Sequence, residues 1–174
     1  LLMLQALDVD LATGLAALAE FAPLGGRGAE TQVKIPGGAF TLVDDSYNAN
    51  PISLAASLRT LGARTHAGRK IAVLTDMLEL GPDAAEVHAG MAPAIEAAGV
   101  GLVFCSGPLM NSLWQALPPT RRGGYAESAA ELEPLVVRAI EPGDLVLVKG
   151  SKGSKAVALA EALAALDPAS GDNG

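Results

Sequence analysis

Eight consecutive residues, Asp44-Asp45-Ser46-Tyr47-Asn48-Ala49-Asn50-Pro51, form the densest polar segment of this chain. A carboxylate just past a strand can accept both hydroxyls of a ribose or hold a metal ion. The Asn48 and Asn50 amides both donate and accept. Asp, Ser and Asn also build turns and helix caps, but a cap alone does not need eight specialised residues in a row. A second segment, Asp76-Met77-Leu78-Glu79-Leu80-Gly81-Pro82, carries two acids three positions apart. In an extended loop, one acid can meet a ligand amine while the other reaches a neighbouring loop; the competing role is helix capping with a solvated Glu79. A third, Val148-Lys149-Gly150-Ser151-Lys152-Gly153-Ser154-Lys155, reads as a strand end, a glycine-rich turn and a helix start. Backbone N–H groups at such a turn attract anions. The phosphate-loop spacing G-x-x-x-x-G-K-[ST] is missing from it, so a substrate carboxylate suits it better, with a plain basic turn as the alternative. Arg27, between Gly26 and Gly28, can reach a nucleotide's sugar or phosphates from a joint. On spacing alone His88 reads as a structural residue in mid-helix, Cys105 as a small buried group and Trp114 as core.

These segments need elements to hold them. Leu1 to Phe21 reads as two helical pieces, with Asp10 capping the second, and residues 23–28 read as a turn-rich hinge. Thr31 to Ile35 and Ala39 to Val43, joined by Pro36-Gly37-Gly38, predict a hairpin. Pro51 starts a helix whose inner face carries Ile52, Leu54, Ala55, Leu58 and Leu61. The continuous apolar runs Ile71–Leu74 and Leu145–Val148 predict strands buried on both faces, with Leu102–Phe104 a third. Helices are expected over 83–98, 108–117, 129–140 and 155–166, and a frayed tail over 167–174. Strands alternating with helices imply a parallel sheet covered on both sides, whose ligands bind beyond the carboxyl ends of the strands. Asp44, Asp45, Asp76, Ser106, Lys149 and Ser151 all fall at those ends.

Composition narrows the partners. The chain has 174 residues, 50% of them hydrophobic, with twelve basic side chains against nineteen acidic ones and a net charge of −7. That balance opposes general nucleic-acid binding and an anionic membrane surface. No apolar run is long enough to span a bilayer. One cysteine cannot form an internal disulfide, and two histidines make a His-rich metal site implausible. The opening Leu1-Leu2-Met3-Leu4 has no basic lead-in, and a start at Leu suggests a piece of a longer chain, cytoplasmic by default.

Taken together, the three segments resemble the MurF branch of the Mur ligase family. Asp44–Pro51 matches its D-[DE]-S-Y-N-A-N-P signature, Asp76–Gly81 its G-D-M-L-E-L-G loop, and Val148–Ser151 its V-K-G-S. The resemblance implies an α/β, Rossmann-like, mostly parallel sheet with helices on both faces, namely the Mur ligase C-terminal domain over 27–166. Residues 1–26 would be the tail of a central ATPase domain plus the hinge. It further implies an ATP- and Mg²⁺-dependent amide ligase of peptidoglycan precursor synthesis. Its substrates would be a UDP-N-acetylmuramoyl-tripeptide and D-alanyl-D-alanine, joined through an acyl phosphate. By similarity, Arg27, Asp45, Tyr47, Asn48 and Asn50 would serve ATP, and Asp76, Glu79, His88, Lys149 and Ser151 the dipeptide side. No metal ligand or catalytic group is expected in this segment, because the phosphate loop belongs to the central domain; alone, the segment would be inactive. Thr75 departs from the family's glycine and Ala156 from its methionine. The alternatives are a phospho-receiver domain with Asp76 as acceptor and a degenerate nucleotide-binding module.

Overall fold

A computed structural model of the chain describes residues 10–19 and 24–168. The first helical piece expected, Leu1 to Leu7, lies outside these residues, as does most of the expected tail. The second piece is helix α1 (Leu11–Ala19), and the Asp10 carboxylate accepts the Thr13 N–H at 3.0 Å.

Strand β1 (Ala29–Ile35) folds back antiparallel on β2 (Gly38–Asp45). The other strands are β3 (Lys70–Thr75), β4 (Leu102–Ser106), β5 (Arg122–Ala126) and β6 (Leu145–Lys149). They form a six-stranded sheet ordered β1-β2-β6-β3-β4-β5, parallel throughout except for the β1 hairpin. Helices α2 (Pro51–Ala63), α3 (Ala84–Ala89), α4 (Ala92–Ala97), α5 (Met110–Ala116), α6 (Ala129–Ala139) and α7 (Ala156–Ala164) cover it.

Strand residues alternate between two cores. Leu145 and Leu147 pack with Leu54 and Leu58 of α2, Ile95 of α4 and Leu113 of α5. Val146 and Val148 pack with Leu132 and Val136 of α6 and Leu159 and Leu163 of α7. The central strands are therefore apolar on both faces, as their unbroken runs require.

Three expectations change. Ile52, expected on the inner face of α2, is 82% exposed; it lies in the first turn, ahead of the buried row Leu54, Leu58 and Leu61. The helix expected over 83–98 is two helices, α3 and α4. Gly90 closes the first and Pro93, lacking an N–H, cannot extend its ladder, so the second starts a new turn there. Edge strand β5 is not among the expected elements. The Phe104 ring explains the glycines: a Cβ on Gly123 would sit 2.6 Å from the ring.

Candidate functional site

The register brings the carboxyl ends of the central strands to one rim: Asp45 pairs with Lys149, Leu74 with Lys149, and Thr75 with Ser106. The three polar segments therefore meet in space. Lys149 Nζ donates to Asp45 Oδ2 at 2.7 Å and to the Asn48 carbonyl at 3.1 Å. Its side chain is 3% exposed against 22% for Asp45, so the cation is sunk beneath the rim and the carboxylate stays reachable from solvent. Ser57 Oγ of α2 donates to the same Oδ2 at 2.6 Å. No sequence pattern marked Ser57, a serine among the leucines and alanines of a helix.

Asp44, the first acid of the motif, holds the joint. Its Oδ2 accepts the Gly26 N–H at 2.9 Å and its Oδ1 the Ser46 N–H at 3.1 Å. The Gly26 carbonyl accepts the Tyr47 N–H at 2.9 Å, and the Asp44 carbonyl the Gly28 N–H at 2.8 Å. Gly26 has φ +75°, and a Cβ there would press on Tyr47 at 3.1 Å. This docking leaves the Arg27 guanidinium 4.3 Å from the Tyr47 ring centroid, a cation–π contact at the surface. Arg27, Asp45, Tyr47, Asn48, Asn50 and Lys149 line one cleft of about 270 Å³. The Asn50 side chain has a local task as well: it caps α2, its Oδ1 accepting the Ser53 N–H at 2.8 Å.

The second and third segments are stitched together by Ser151. Its Oγ accepts the Leu78 N–H at 2.9 Å and donates to the Ala49 carbonyl at 3.2 Å, while its own N–H meets the Asp76 carbonyl at 3.1 Å. Gly150 permits the close approach, since a Cβ there would meet Thr75 Oγ1 at 1.7 Å. Thr75, the departure from the family glycine, bonds Ser154 Oγ at 2.5 Å.

Asp76 and His88 turn inward. Asp76 is 5% exposed, and its carboxylate accepts the Met110 N–H at 2.8 Å at the start of α5. His88 is fully buried; Nε2 accepts the Met77 N–H at 3.0 Å, and Nδ1 faces the Ala84 carbonyl at 2.6 Å. That arrangement fixes the tautomer with the proton on Nδ1. Both residues shape the 76–81 loop from behind. Glu79 is exposed with φ +63° and lines a second cleft, of about 400 Å³, with Tyr47, Asn48, Ser151 and Lys152. Cys105 is buried beside this machinery; burial first, and the charge of Asp76 second, push its thiol up. Among the described residues, no three His, Cys, Asp or Glu side chains gather as a metal cage.

Residues 31–152 match the family model described as "Mur ligase, glutamate ligase domain". The chain belongs to the Mur ligase family. It is 38% identical over 117 residues to the UDP-N-acetylmuramoyl-tripeptide–D-alanyl-D-alanine ligase of Treponema pallidum, a match covering 66% of this chain and 25% of that protein. With the ligase of the same description from Rickettsia prowazekii it shares 29% identity over 155 residues, covering 89% of this chain and 33% of the relative. The chain thus spans about a third or less of these Mur ligases. Among solved structures it superposes on MurF of Acinetobacter baumannii with a TM-score of 0.78 and 24% identity, over 92% of this chain and 35% of that one. Against MurF of Thermotoga maritima in complex with ADP the score is 0.73 and the identity 21%, over 94% and 36%. These likenesses establish the fold as that of the Mur ligase C-terminal α/β domain.

Proposed function

We propose that this chain is the C-terminal domain of an ATP-dependent ligase that joins D-alanyl-D-alanine to a UDP-N-acetylmuramoyl-tripeptide. The observation that carries the reading is the meeting of three polar segments at one rim, where an oxygen of Asp45 stays open beside Arg27. A ribose hydroxyl suits that oxygen, and the Arg27 guanidinium suits the negative charge of a nucleotide. Mg²⁺ enters with ATP, and the described residues of this segment hold no cage for it.

In the proposed reaction, the tripeptide carboxylate takes the γ-phosphoryl group of ATP and ADP leaves. The dipeptide amine then attacks the acyl carbon, phosphate departs, and an amide remains. The residues of this chain bind and orient. Asp45 and Arg27 hold the nucleotide, while Glu79 and the Lys149–Lys155 turn flank a cleft with an acid for an amine and N–H groups for a carboxylate. Asp76, His88 and Ser151 act through the loops they brace. Closure of the domain would bring this rim to the central domain, which supplies the phosphate loop. Because Gly26 and Gly28 are pinned to Asp44, the pivot lies before Gly26. The phospho-receiver alternative would need an accessible Asp76, yet that carboxylate is buried and engaged with the α5 N–H groups.

The test is phosphate release by the full-length ligase containing this domain, with ATP, a UDP-N-acetylmuramoyl-tripeptide and a varied amine. Turnover with D-alanyl-D-alanine and none with D-glutamate or L-alanine is the expected result. Turnover with a single amino acid in place of the dipeptide would move the chain to another branch of the family.

A further inference from the structure

We infer that Ser57 and Lys149 are positioning residues: by filling Oδ2 of Asp45, they leave Oδ1 as the sole acceptor for a ribose hydroxyl. This rests on the ribose reading of Asp45 given above.

A carboxylate oxygen has two lone pairs. Oδ2 of Asp45 already receives Ser57 Oγ at 2.6 Å and Lys149 Nζ at 2.7 Å, so it has none to spare. Among the described residues no donor reaches Oδ1. The Ser57 hydroxyl also lies 2.9 Å from the Ser53 carbonyl, but it has one proton, and the charged acceptor takes it. The position of Ser57 is set by helix α2, which the Asn50–Ser53 capping box anchors directly after the motif loop. Lys149 is set by β6, and its second bond, to the Asn48 carbonyl, holds the same loop. Two rigid elements thus grip one oxygen from two sides and fix the plane of the carboxylate.

The consequence is unequal reading of the sugar. A free carboxylate can take the 2′ and 3′ hydroxyls with one oxygen each. Here Oδ2 is occupied and both hydroxyls must turn to Oδ1, whose two lone pairs diverge while the adjacent hydroxyls of one ribose sit side by side, so one hydroxyl makes a well-aligned bond and the other adds little.

The test is steady-state kinetics of the full-length ligase containing this domain with ATP, 2′-deoxy-ATP and 3′-deoxy-ATP as the varied substrates. For the wild type, KM should rise about tenfold or more with one analogue and less than about threefold with the other. Ser57→Ala should raise KM for ATP by about three- to tenfold with kcat within about twofold, and should narrow the gap between the analogues. Ser57→Thr, which keeps the hydroxyl, should restore both. Equal, large penalties for the two analogues would overturn the inference and leave the ribose reading standing. So would a wild-type KM and analogue gap in Ser57→Ala, or a fall in kcat that Ser57→Thr does not rescue. If both analogues and Asp45→Asn leave the KM for ATP unchanged, the ribose reading itself falls and the inference with it.

Discussion

Strand β6 carries an ion pair at each end, and the two pairs are built differently. Below its first residue, Asp144 receives Arg69 Nε at 2.9 Å, Arg69 Nη2 at 2.6 Å and the Glu141 N–H at 2.7 Å. Both oxygens are engaged, and Arg69 spends a further bond on the Ala139 carbonyl at 2.8 Å. At its last residue, Lys149 and Ser57 fill one oxygen of Asp45 and leave the other open. Burial is reversed as well. At the lower end the acid is sunk, with Asp144 3% exposed and Arg69 35%; at the rim the cation is sunk, with Lys149 3% and Asp45 22%. A saturated pair with its acid inside ties a loop to a sheet and has nothing to offer a ligand. A half-filled pair with its acid outside is stabilised from below and still has an acceptor to give.

The comparison breaks most visibly at Asp45. Asp45→Ala strands a buried ammonium, and removal of one member of a buried pair costs about 3–5 kcal/mol. Chemical denaturation should show a loss near the lower end of that range, because water can reach the cleft. Asp45→Ala combined with Lys149→Met removes both charges and should recover most of the stability, while the KM for ATP stays raised in both variants. Recovery of ATP affinity with stability would make the rim pair a mere brace, like the lower one. Asp144→Ala comes next, at about 2 kcal/mol, discounted because Arg69 is one-third exposed and can be rehydrated. Its KM for ATP should match the wild type; a changed KM would erase the distinction between the two ends. The lower pair also resists alkali. The hydrogen bond to Asp144 holds the Arg69 guanidinium above its ordinary value, with burial opposing. Its contribution is fully present below the unfolded value and is lost only as pH rises through the higher folded one. A smaller effect belongs to Asn50, which both lines the cleft and caps α2. Asn50→Ala should cost about 1 kcal/mol, and Asn50→Asp should keep the cap.

Much of the rim was legible in the sequence, for physical reasons. Asp44 to Pro51 combines a strand end, a loop and a helix start in eight residues, and that compression is visible locally. The unbroken runs of β3 and β6 likewise announced their burial. What was not legible depends on contacts between distant residues. Ser57 looks like any helical serine until α2 is laid beside β2, and Arg69 and Asp144 have no shared motif. Strand β5 was hidden because its glycines answer to the Phe104 ring and not to a turn. Asp76 stood out as an acid available to a ligand, but the fold brings the start of α5 to it, and its carboxylate closes on those N–H groups. Chemical type was readable; whether a side chain faced a ligand or a neighbouring loop was decided by packing.

The faintest test of the rim is its alkaline edge, which Cys105 sets. Burial is the first cause of its raised value and the Asp76 charge the second. The folded chain therefore keeps this proton where the unfolded chain, with an ordinary value of 9.0, releases it. The sign follows: the unfolded state binds fewer protons above that value, so stability is full below it and falls as pH rises. From roughly pH 8.5 to pH 9.5 the loss from this one thiol is about 0.7 kcal/mol. Denaturation curves at the two pH values should show it in the wild type, and Cys105→Ala should flatten the difference at the cost of a small cavity. The same burial keeps the thiol protonated in the fold, so a thiol-specific disulfide reagent should label Cys105 only as fast as the chain opens. Fast labelling at neutral pH would mean that the floor behind Asp76 is open to solvent. In that case the rim would not rest on a dry base, and the contrast between a sunk cation above and a sunk acid below would lose its physical ground.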